Sequence, residues 1–314
     1  MKKLLSLLLA LAFLAVACGS SDDAASDGDA EETTTTTSSD DGAEDDSMAE
    51  DDSMAEDDSM AEDDSMAETS HCDAVKTAGT LTVATGDPVF PPWMEDDDPS
   101  NGRGFESAVV YAVADELGLD VAWVRTTFDQ GVAPGAKDYD FNIQQFSITE
   151  ARDEAVDFSD PYYVAQPAII ATDTTKFADV TSVDDLKGLR LGAGIATTSL
   201  DYIEEVIQPD TPAAVFDDNV AAKAAFDAGQ IDGLVLDFNT AFYVTAVEID
   251  GSSIVGVLPE TAEGADSLGF VLEEGSELTP CLNQALSTLK SNGTLDGLAE
   301  QYLQTANDIP TLSK

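Results

Sequence analysis

The sequence has little of what enzymes usually carry at catalytic and metal sites. Only one of its 314 residues is histidine and only three are cysteine. The single histidine, His71, stands at the edge of an acidic low-complexity stretch, which argues against a Ser-His-Asp triad, a Cys-His pair or a histidine-ligated metal. No phosphate-binding loop or dinucleotide fingerprint occurs, since the Gly-Arg-Gly at 102–104 lacks the third glycine. A binding protein or a carboxylate-based enzyme remains, and we expect no cofactor.

Positive charge is scarce as well. The chain has 13 basic against 63 acidic residues and a formal net charge of −50. Proteins that bind nucleic acid neutralise its phosphates with lysine and arginine. The balance therefore argues against a nucleic-acid partner.

The first residues indicate export. A basic Met-Lys-Lys start precedes an apolar run over 4–17 that only Ser6 interrupts, as in a secretory signal peptide. A membrane-spanning helix needs roughly 20 apolar residues, so a single-span anchor fits less well. The Ala-Val-Ala-Cys at 15–18 resembles a bacterial lipobox, although Ala15 stands where leucine or valine is usual. We predict a signal peptide at 1–17 and a lipid on Cys18 that holds the chain to the bilayer.

The next segment lacks any means of folding alone. Residues 19–70 contain no aromatic residue, no valine, isoleucine or leucine, and no lysine or arginine, and the hexad Asp-Asp-Ser-Met-Ala-Glu occurs four times between Asp45 and Glu68. So little apolar surface cannot offset chain entropy, and like charges repel. A period of six matches neither a heptad nor a solenoid. We interpret 18–70 as a disordered acidic tether, and favour a spacer over a cation-binding array.

The remaining sequence alternates strand and helix patterns. Apolar β-rich runs occur at 80–84, 121–124, 168–171, 189–191 and 233–236, and helical patterns at 105–117, 201–207, 220–228 and 281–289. Gly118 suits a helix C-cap, Ser182 an N-cap, and Pro280 the first turn of the last of these helices. This alternation predicts an α/β fold with parallel sheets.

The most informative motifs lie between residues 139 and 163. Ser-Ile-Thr-Glu-Ala-Arg at 147–152 is followed by Asp-Phe-Ser-Asp-Pro-Tyr at 157–162. The chain resembles the extracellular solute-binding proteins of polar amino-acid ABC transporters, solute-binding protein family 3, across residues 81–303. Further matching segments, in the family's order and spacing, lie at 87–93, 104–106, 186–192, 231–237 and 289–293.

The resemblance implies a two-lobed fold. It is the periplasmic-binding-protein-like (type II) fold, α/β, with two crossover hinge strands. Lobe 1 would comprise 72–168 plus 267–306, and lobe 2 would comprise 169–266. Cys72 and Cys281 would then share lobe 1. An exported protein can keep a disulfide, so we expect them to pair, with two free buried thiols as the alternative.

The resemblance also implies a function. We expect a monomeric lipoprotein on the outer face of the cytoplasmic membrane, extracellular or periplasmic, that captures an amino acid and delivers it to an ABC permease. One alternative is a sensing module that acts in trans. Another is a dehydratase acting on a small carboxylic acid, for which Asp87, Asp237 and Glu263 would be the candidate acids or bases.

In lobe 1, the resemblance assigns the ligand's α-carboxylate to Arg152. A guanidinium fork matches a carboxylate with two parallel charge-assisted hydrogen bonds; the alternative is a surface ion pair with Asp153 or Glu154. Gln145 and Ser147 occupy positions whose backbone groups and hydroxyl face the α-carboxylate and α-ammonium. Gln145 stands where the family more often has a small residue.

In lobe 2, Asp237 matches the carboxylate that pairs with the ligand's ammonium, unless it is a solvated strand-end residue. Thr197 and Thr198 match the turn whose N–H groups cap the carboxylate at a helix start, unless they only cap that helix. Ala196 replaces the glycine commonly found before them. Because the charges are split between lobes, a zwitterion would satisfy both only when they close.

The resemblance also implies which aromatic and acidic residues contact the ligand's side chain. Phe90 and Phe128 fall where the family sandwiches that side chain, with core packing as the alternative. Trp93 matches an aromatic that is usually structural. Asp87 matches a position that contacts polar or cationic side chains, which favours a polar or basic amino acid, although it could instead hold its own turn.

Overall fold

The structure is a computed structural model that describes residues 73–261 and 264–314. The predicted signal peptide at 1–17, the tether at 18–70 with Cys18, and the residues Cys72 and Glu263 lie outside the described residues. Lipidation and the pairing of Cys72 with Cys281 therefore stay predictions.

The described residues alternate strands and helices along the chain. The strands are β1 (Thr80–Thr85), β2 (Asp120–Arg125), β3 (Phe141–Asn142), β4 (Asp157–Phe158), β5 (Tyr163–Ala165), β6 (Pro167–Ala171), β7 (Leu191–Gly194), β8 (Ala214–Phe216), β9 (Gly233–Asp237), β10 (Ser253–Val257), β11 (Asp266–Leu268) and β12 (Val271–Leu272). The α-helices are α1 (Phe105–Leu117), α2 (Phe128–Gly131), α3 (Glu150–Asp153), α4 (Thr198–Asp201), α5 (Asn219–Asp227), α6 (Phe238–Tyr243), α7 (Thr279–Ser291) and α8 (Thr294–Tyr302).

Shorter helical turns complete the chain. Pro99–Asn101, Thr174–Phe177 and Val183–Leu186 form 3-10 turns, and α4 and α6 continue into π-helical segments at Tyr202–Ile207 and Val244–Glu248. None of the helices in the described ranges is both long and apolar enough to cross a membrane.

Lobe 1 is built on a sheet with the strand order β2-β1-β3-β12-β4. Helix α1 follows the predicted apolar spacing, and Gly118 ends it in a left-handed conformation that a residue without Cβ adopts easily. Apolar faces of α1, α7 and α8 join the sheet in one core, in which Phe105, Phe141 and Phe270 are fully buried.

Lobe 2 is built on a second sheet with the order β10-β6-β9-β7-β8. Its central strands are apolar on both faces, and residues 168–171 and 233–236 are buried throughout. Ser182 forms the predicted cap through a capping box with Asp185. Helices α4, α5 and α6 pack against the strands of this sheet.

Two antiparallel strands connect the lobes. β5 leads from the first sheet into β6 of the second, and β11 leads back toward β12. This arrangement confirms the predicted two-lobed fold with two crossover strands. After α8 the chain passes to lobe 2 once more, where Thr311 bridges to Val257 and Leu312 is buried in the lobe 2 core.

The prediction of parallel sheets is only partly correct. β1 runs parallel to β2 and β3, and β7 to β8 and β9, whereas β12 is antiparallel to β3 and β4, and β6 to β9 and β10. The antiparallel strands β6 and β12 are the ones that follow the crossovers. A strand that enters a sheet from the other lobe need not run in the direction that a helical crossover imposes.

Candidate ligand-binding site

A cavity of about 510 Å³ lies where the two lobes face each other. The crossovers and the loops at the ends of β1, β3, β7 and β9 bring side chains from both sheets to its wall. All nine residues that the sequence nominated line it, namely Asp87, Phe90, Phe128, Gln145, Ser147, Arg152, Thr197, Thr198 and Asp237.

Arg152 reaches across the cleft from the short helix α3. Its Nη1 donates to the backbone oxygen of Ser147 at 2.7 Å, and its Nη2 donates to the backbone oxygen of Ala196 in lobe 2 at 2.8 Å. A guanidinium has five N–H donors, so others remain for a carboxylate. Burial lowers the pKa of Arg152, while the charges of Asp266 and Asp201 oppose that shift. The side chain is thus turned into the cavity rather than toward Asp153 or Glu154.

Behind this wall lies a buried carboxylate. Glu106 is fully buried and accepts hydrogen bonds from the Tyr162 hydroxyl at 2.5 Å, from the Gln145 backbone N–H at 2.8 Å and from the Gln145 side-chain amide. Burial raises the pKa of Glu106 to about 7. Gln145 has φ of +53°, in the left-handed region, and its backbone N–H donates to Glu106 rather than pointing into the cavity as expected from the resemblance.

Asp237 stands at the end of β9 and caps α6. Its carboxylate accepts from the Thr240 backbone N–H at 2.9 Å, which leaves acceptor capacity on the side that faces the cavity. Burial raises the pKa of Asp237 to about 6, and the nearby charge of Asp266 acts in the same direction. Among the described residues no cationic side chain pairs with Asp237, so this partly desolvated carboxylate suits an ammonium.

The turn before α4 brings hydroxyl groups of both lobes together. Thr197 accepts from the Leu200 N–H at 3.2 Å and so caps α4, which is the structural role left open for it. The Thr198 hydroxyl donates to Asp266 at 3.2 Å and lies 3.3 Å from the Ser147 hydroxyl of lobe 1. Ala196 has φ of +60°, a left-handed conformation that glycine adopts without strain.

The aromatic residues have different surroundings. Phe128 stacks on Phe146 with ring centroids 4.6 Å apart. Trp93 is buried edge-on against neighbouring rings and donates from its indole N–H to Thr240 of lobe 2 at 2.8 Å. Phe90 has the ammonium of Lys223 over its ring, 4.2 Å from the centroid.

Sequence reasoning missed several wall residues. Lys223 and Glu248 form an ion pair of 2.7 Å in the cavity wall, and Asp266 lies beside the Thr198 hydroxyl. Lys223 sits among alanines in α5, where the pattern is typical of a solvated helix face. Only the fold shows that this face is turned toward the cleft, so no sequence signal identified it.

A cavity between two α/β lobes, with an arginine on one lobe and a capped carboxylate on the other, defines a two-lobed solute-binding protein. The chain belongs to the bacterial extracellular solute-binding proteins, family 3, whose model matches residues 81–305.

The similar proteins found in the comparisons are named for the amino acids that they bind. The L-cystine-binding protein TcyJ of Escherichia coli strain K12 is 26% identical over 230 residues, which cover 73% of this chain and 84% of that protein. The structure of an ancestral arginine-binding protein bound to glutamine is 31% identical with a TM-score of 0.61, and covers 72% of this chain and 98% of that one. An ancestral amino acid-binding protein, a precursor of cyclohexadienyl dehydratase, is 29% identical with a TM-score of 0.61, over 72% and 96% of the two chains.

Proposed function

We propose that this chain is the substrate-binding component of an ABC importer and captures a polar amino acid between its lobes. The observation that carries this proposal is that Arg152 of lobe 1 and Asp237 of lobe 2 line one cavity. The guanidinium receives the α-carboxylate and the Asp237 carboxylate receives the α-ammonium. The amino-acid ligands named for the relatives support the same class of solute.

Contacts across the cleft support capture by closure. Besides Arg152, Trp93 and Ser147 of lobe 1 contact Thr240 and Thr198 of lobe 2 through their side chains. A ligand that binds both lobes adds its own contacts only to the closed arrangement, and so it shifts the population toward that arrangement. The closed form is the one delivered to the permease.

A thermal-shift screen tests the proposal. The purified chain is heated with each of the twenty amino acids and with cystine. A ligand present at about 100 times its dissociation constant stabilises the folded state by about 2.7 kcal/mol. At least one amino acid should raise the melting temperature. If none does, while the protein melts cooperatively, amino-acid capture is wrong.

The export of the chain is part of the proposal. The signal-like start, the lipobox-like segment and the acidic residues that follow support a monomeric lipoprotein on the outer face of the cytoplasmic membrane. A Cys18→Ala variant should be released from membranes into the soluble fraction, whereas the wild-type chain should sediment with them. Equal release of both chains would contradict lipid anchoring.

The named relatives are binding proteins, but a precursor of a dehydratase among the similar structures makes an enzyme worth testing. Asp237, which lines the cavity and has a pKa near 6, is a described residue suited to proton transfer. Prephenate or arogenate incubated with the purified chain should remain unchanged. Turnover that Asp237→Asn abolishes would replace the binding function with a catalytic one.

A further inference from the structure

The wall of the cavity carries a second pair of opposite charges besides Arg152 and Asp237, and this part of the wall is called here the Lys223 end. Lys223 projects from α5, and Glu248 ends the π-helical segment that follows α6. Their charged atoms are 2.7 Å apart, and the side chains retain only 13% and 25% of their exposure. Both residues line the cavity with Phe90.

Lys223 contacts a residue of the other lobe. It belongs to lobe 2, yet its ammonium lies over the ring of Phe90, which follows β1 in lobe 1. A cation over an aromatic face is stabilised by the ring quadrupole, most strongly when water is excluded. The ring of Phe90 and the carboxylate of Glu248 would together bind a cationic ligand side chain. The protein's own lysine therefore occupies the place of such a side chain.

We infer that Lys223 and Glu248 select amino acids whose side chain ends in a net-neutral group with both a hydrogen-bond acceptor and a donor. The acceptor takes an N–H of Lys223, which has three donors and uses one on Glu248. The donor takes a free lone pair of Glu248. A carboxamide has this chemistry, and so does a second zwitterionic head such as that of cystine. This inference rests on the proposed amino-acid capture.

Singly charged side chains fit this end poorly. A guanidinium or ammonium would meet the positive charge of Lys223 and would have to displace it from both Phe90 and Glu248. A lone carboxylate would pair with Lys223 but face Glu248. Like charges brought together in the cavity wall repel, and the partly buried Lys223 ammonium is screened by salt less than a fully exposed charge would be.

Asp87, from which the resemblance implied a preference for polar or basic side chains, also lines the cavity, but it is exposed to water. Two other acids in the wall do not reverse the preference either. Asp218 is the N-cap of α5 and accepts from the Ala221 N–H at 2.7 Å, and Asp129 accepts from the Thr127 hydroxyl at 2.5 Å. Both are exposed, so water screens their charges. Lys223 is the less exposed group and lies within contact distance of the aromatic face.

The test is a comparison of affinities by titration calorimetry for glutamine, cystine, arginine and glutamate. The wild-type chain should bind glutamine or cystine more tightly than arginine. If glutamine binds more tightly than cystine, the selected group is a carboxamide; if cystine binds more tightly, it is a second zwitterionic head. Lys223→Met keeps the aliphatic length and removes the charge. It should raise the affinity for arginine relative to that for glutamine or cystine by about tenfold or more. Lys223→Arg should retain the wild-type order.

Two further variants make the result decisive. Glu248→Gln leaves Lys223 without its anion, so it should favour glutamate and disfavour arginine, opposite to Lys223→Met. Lys187→Met removes an exposed lysine that pairs with Asp184 at 2.7 Å, and should change no ratio. An unchanged ratio in both cavity variants, with binding retained, would overturn the selectivity role alone. Failure of every amino acid to bind wild-type chain would instead reject the proposed function.

Discussion

Arg152 of lobe 1 donates a hydrogen bond of 2.8 Å to the backbone oxygen of Ala196 in lobe 2. The same guanidinium donates to the backbone of its own lobe through Ser147. The residue proposed to hold the ligand's carboxylate is thus also a direct link between the lobes. Ligand binding and lobe closure share one side chain, which gives several measurable consequences.

Replacing Arg152 should weaken ligand binding strongly. Hydrogen bonds to charged groups contribute about 1.5–3 kcal/mol each, so loss of a two-bond clamp in Arg152→Ala should weaken binding by about 100-fold or more. Calorimetry with the amino acid found in the thermal-shift screen measures this. Arg103→Ala removes an exposed arginine that pairs with Glu95 and serves as the matched control. Near-wild-type affinity in Arg152→Ala would place the carboxylate elsewhere.

Asp237 should make binding depend on pH. Only its ionised form attracts an ammonium, and burial raises its pKa to about 6. The association constant should therefore fall by about tenfold per pH unit below 6 and level off above about 7. Glu106 and Asp266 lie near enough to influence the same carboxylate.

Calorimetry between about pH 5 and pH 8 measures this dependence. Asp237→Asn should bind weakly at every pH and lose the dependence below 6. A wild-type affinity that stays constant down to pH 5 would show that no ionised Asp237 is needed.

Glu106 should make the ligand-free protein less stable as pH rises. Its pKa is about 7 in the folded state against an ordinary 4.5, so the folded state binds the proton more tightly than the unfolded state. The unfolding free energy should fall between about pH 4.5 and 7, by an amount on the order of 3 kcal/mol. Urea denaturation at a series of pH values measures the slope.

A pair of variants on α1 isolates this effect. Glu106→Gln should reduce the loss of stability, most clearly between about pH 6 and 7 where the shift of Asp237 contributes little, whereas Glu116→Gln, an exposed position on the same helix, should retain it. Identical slopes in all three chains would mean that Glu106 is ionised in both states across this range.

Phe105 should be essential to the stability of lobe 1. It is fully buried, and its ring lies 5.3 Å from that of Tyr163 on the crossover strand. Phe105→Ala should lower the unfolding free energy by about 3–5 kcal/mol because it removes apolar contacts and leaves a cavity. Phe242→Ala, at a position that is 40% exposed, should change it by less than about 1 kcal/mol. Similar losses in both would contradict the described core.

The sequence predicted local structure best where a local signal, such as apolar spacing or a capping glycine, determines the element. The helix at 105–117 has four-residue apolar spacing and a following glycine, and both bounds agree with the structure. The strand expected at 189–191 is observed at 191–194, because the small residues that continue it carry little apolar signal. The passage of the chain back to lobe 2 around Leu312 was missed, since a short apolar segment does not reveal its partner.

Only those cavity residues that stand in recognisable motifs could be predicted from the sequence. Arg152 and Asp237 stand in motifs with family spacing, and the structure places both in the wall. Lys223 has no motif, because a single lysine in an alanine-rich helix is typical of a solvated face. Its position over Phe90 depends on how the lobes meet, which no local pattern encodes.

The central claim is that one ligand offers an α-carboxylate to Arg152 and an α-ammonium to Asp237. Calorimetry of the best-bound amino acid beside its α-methyl ester and its α-deamino analogue tests this most directly. Both analogues should lose about 100-fold or more in affinity, because each leaves one buried charge unpaired. An analogue that binds as tightly as the parent amino acid would show that the corresponding charge is not recognised, and would contradict the account.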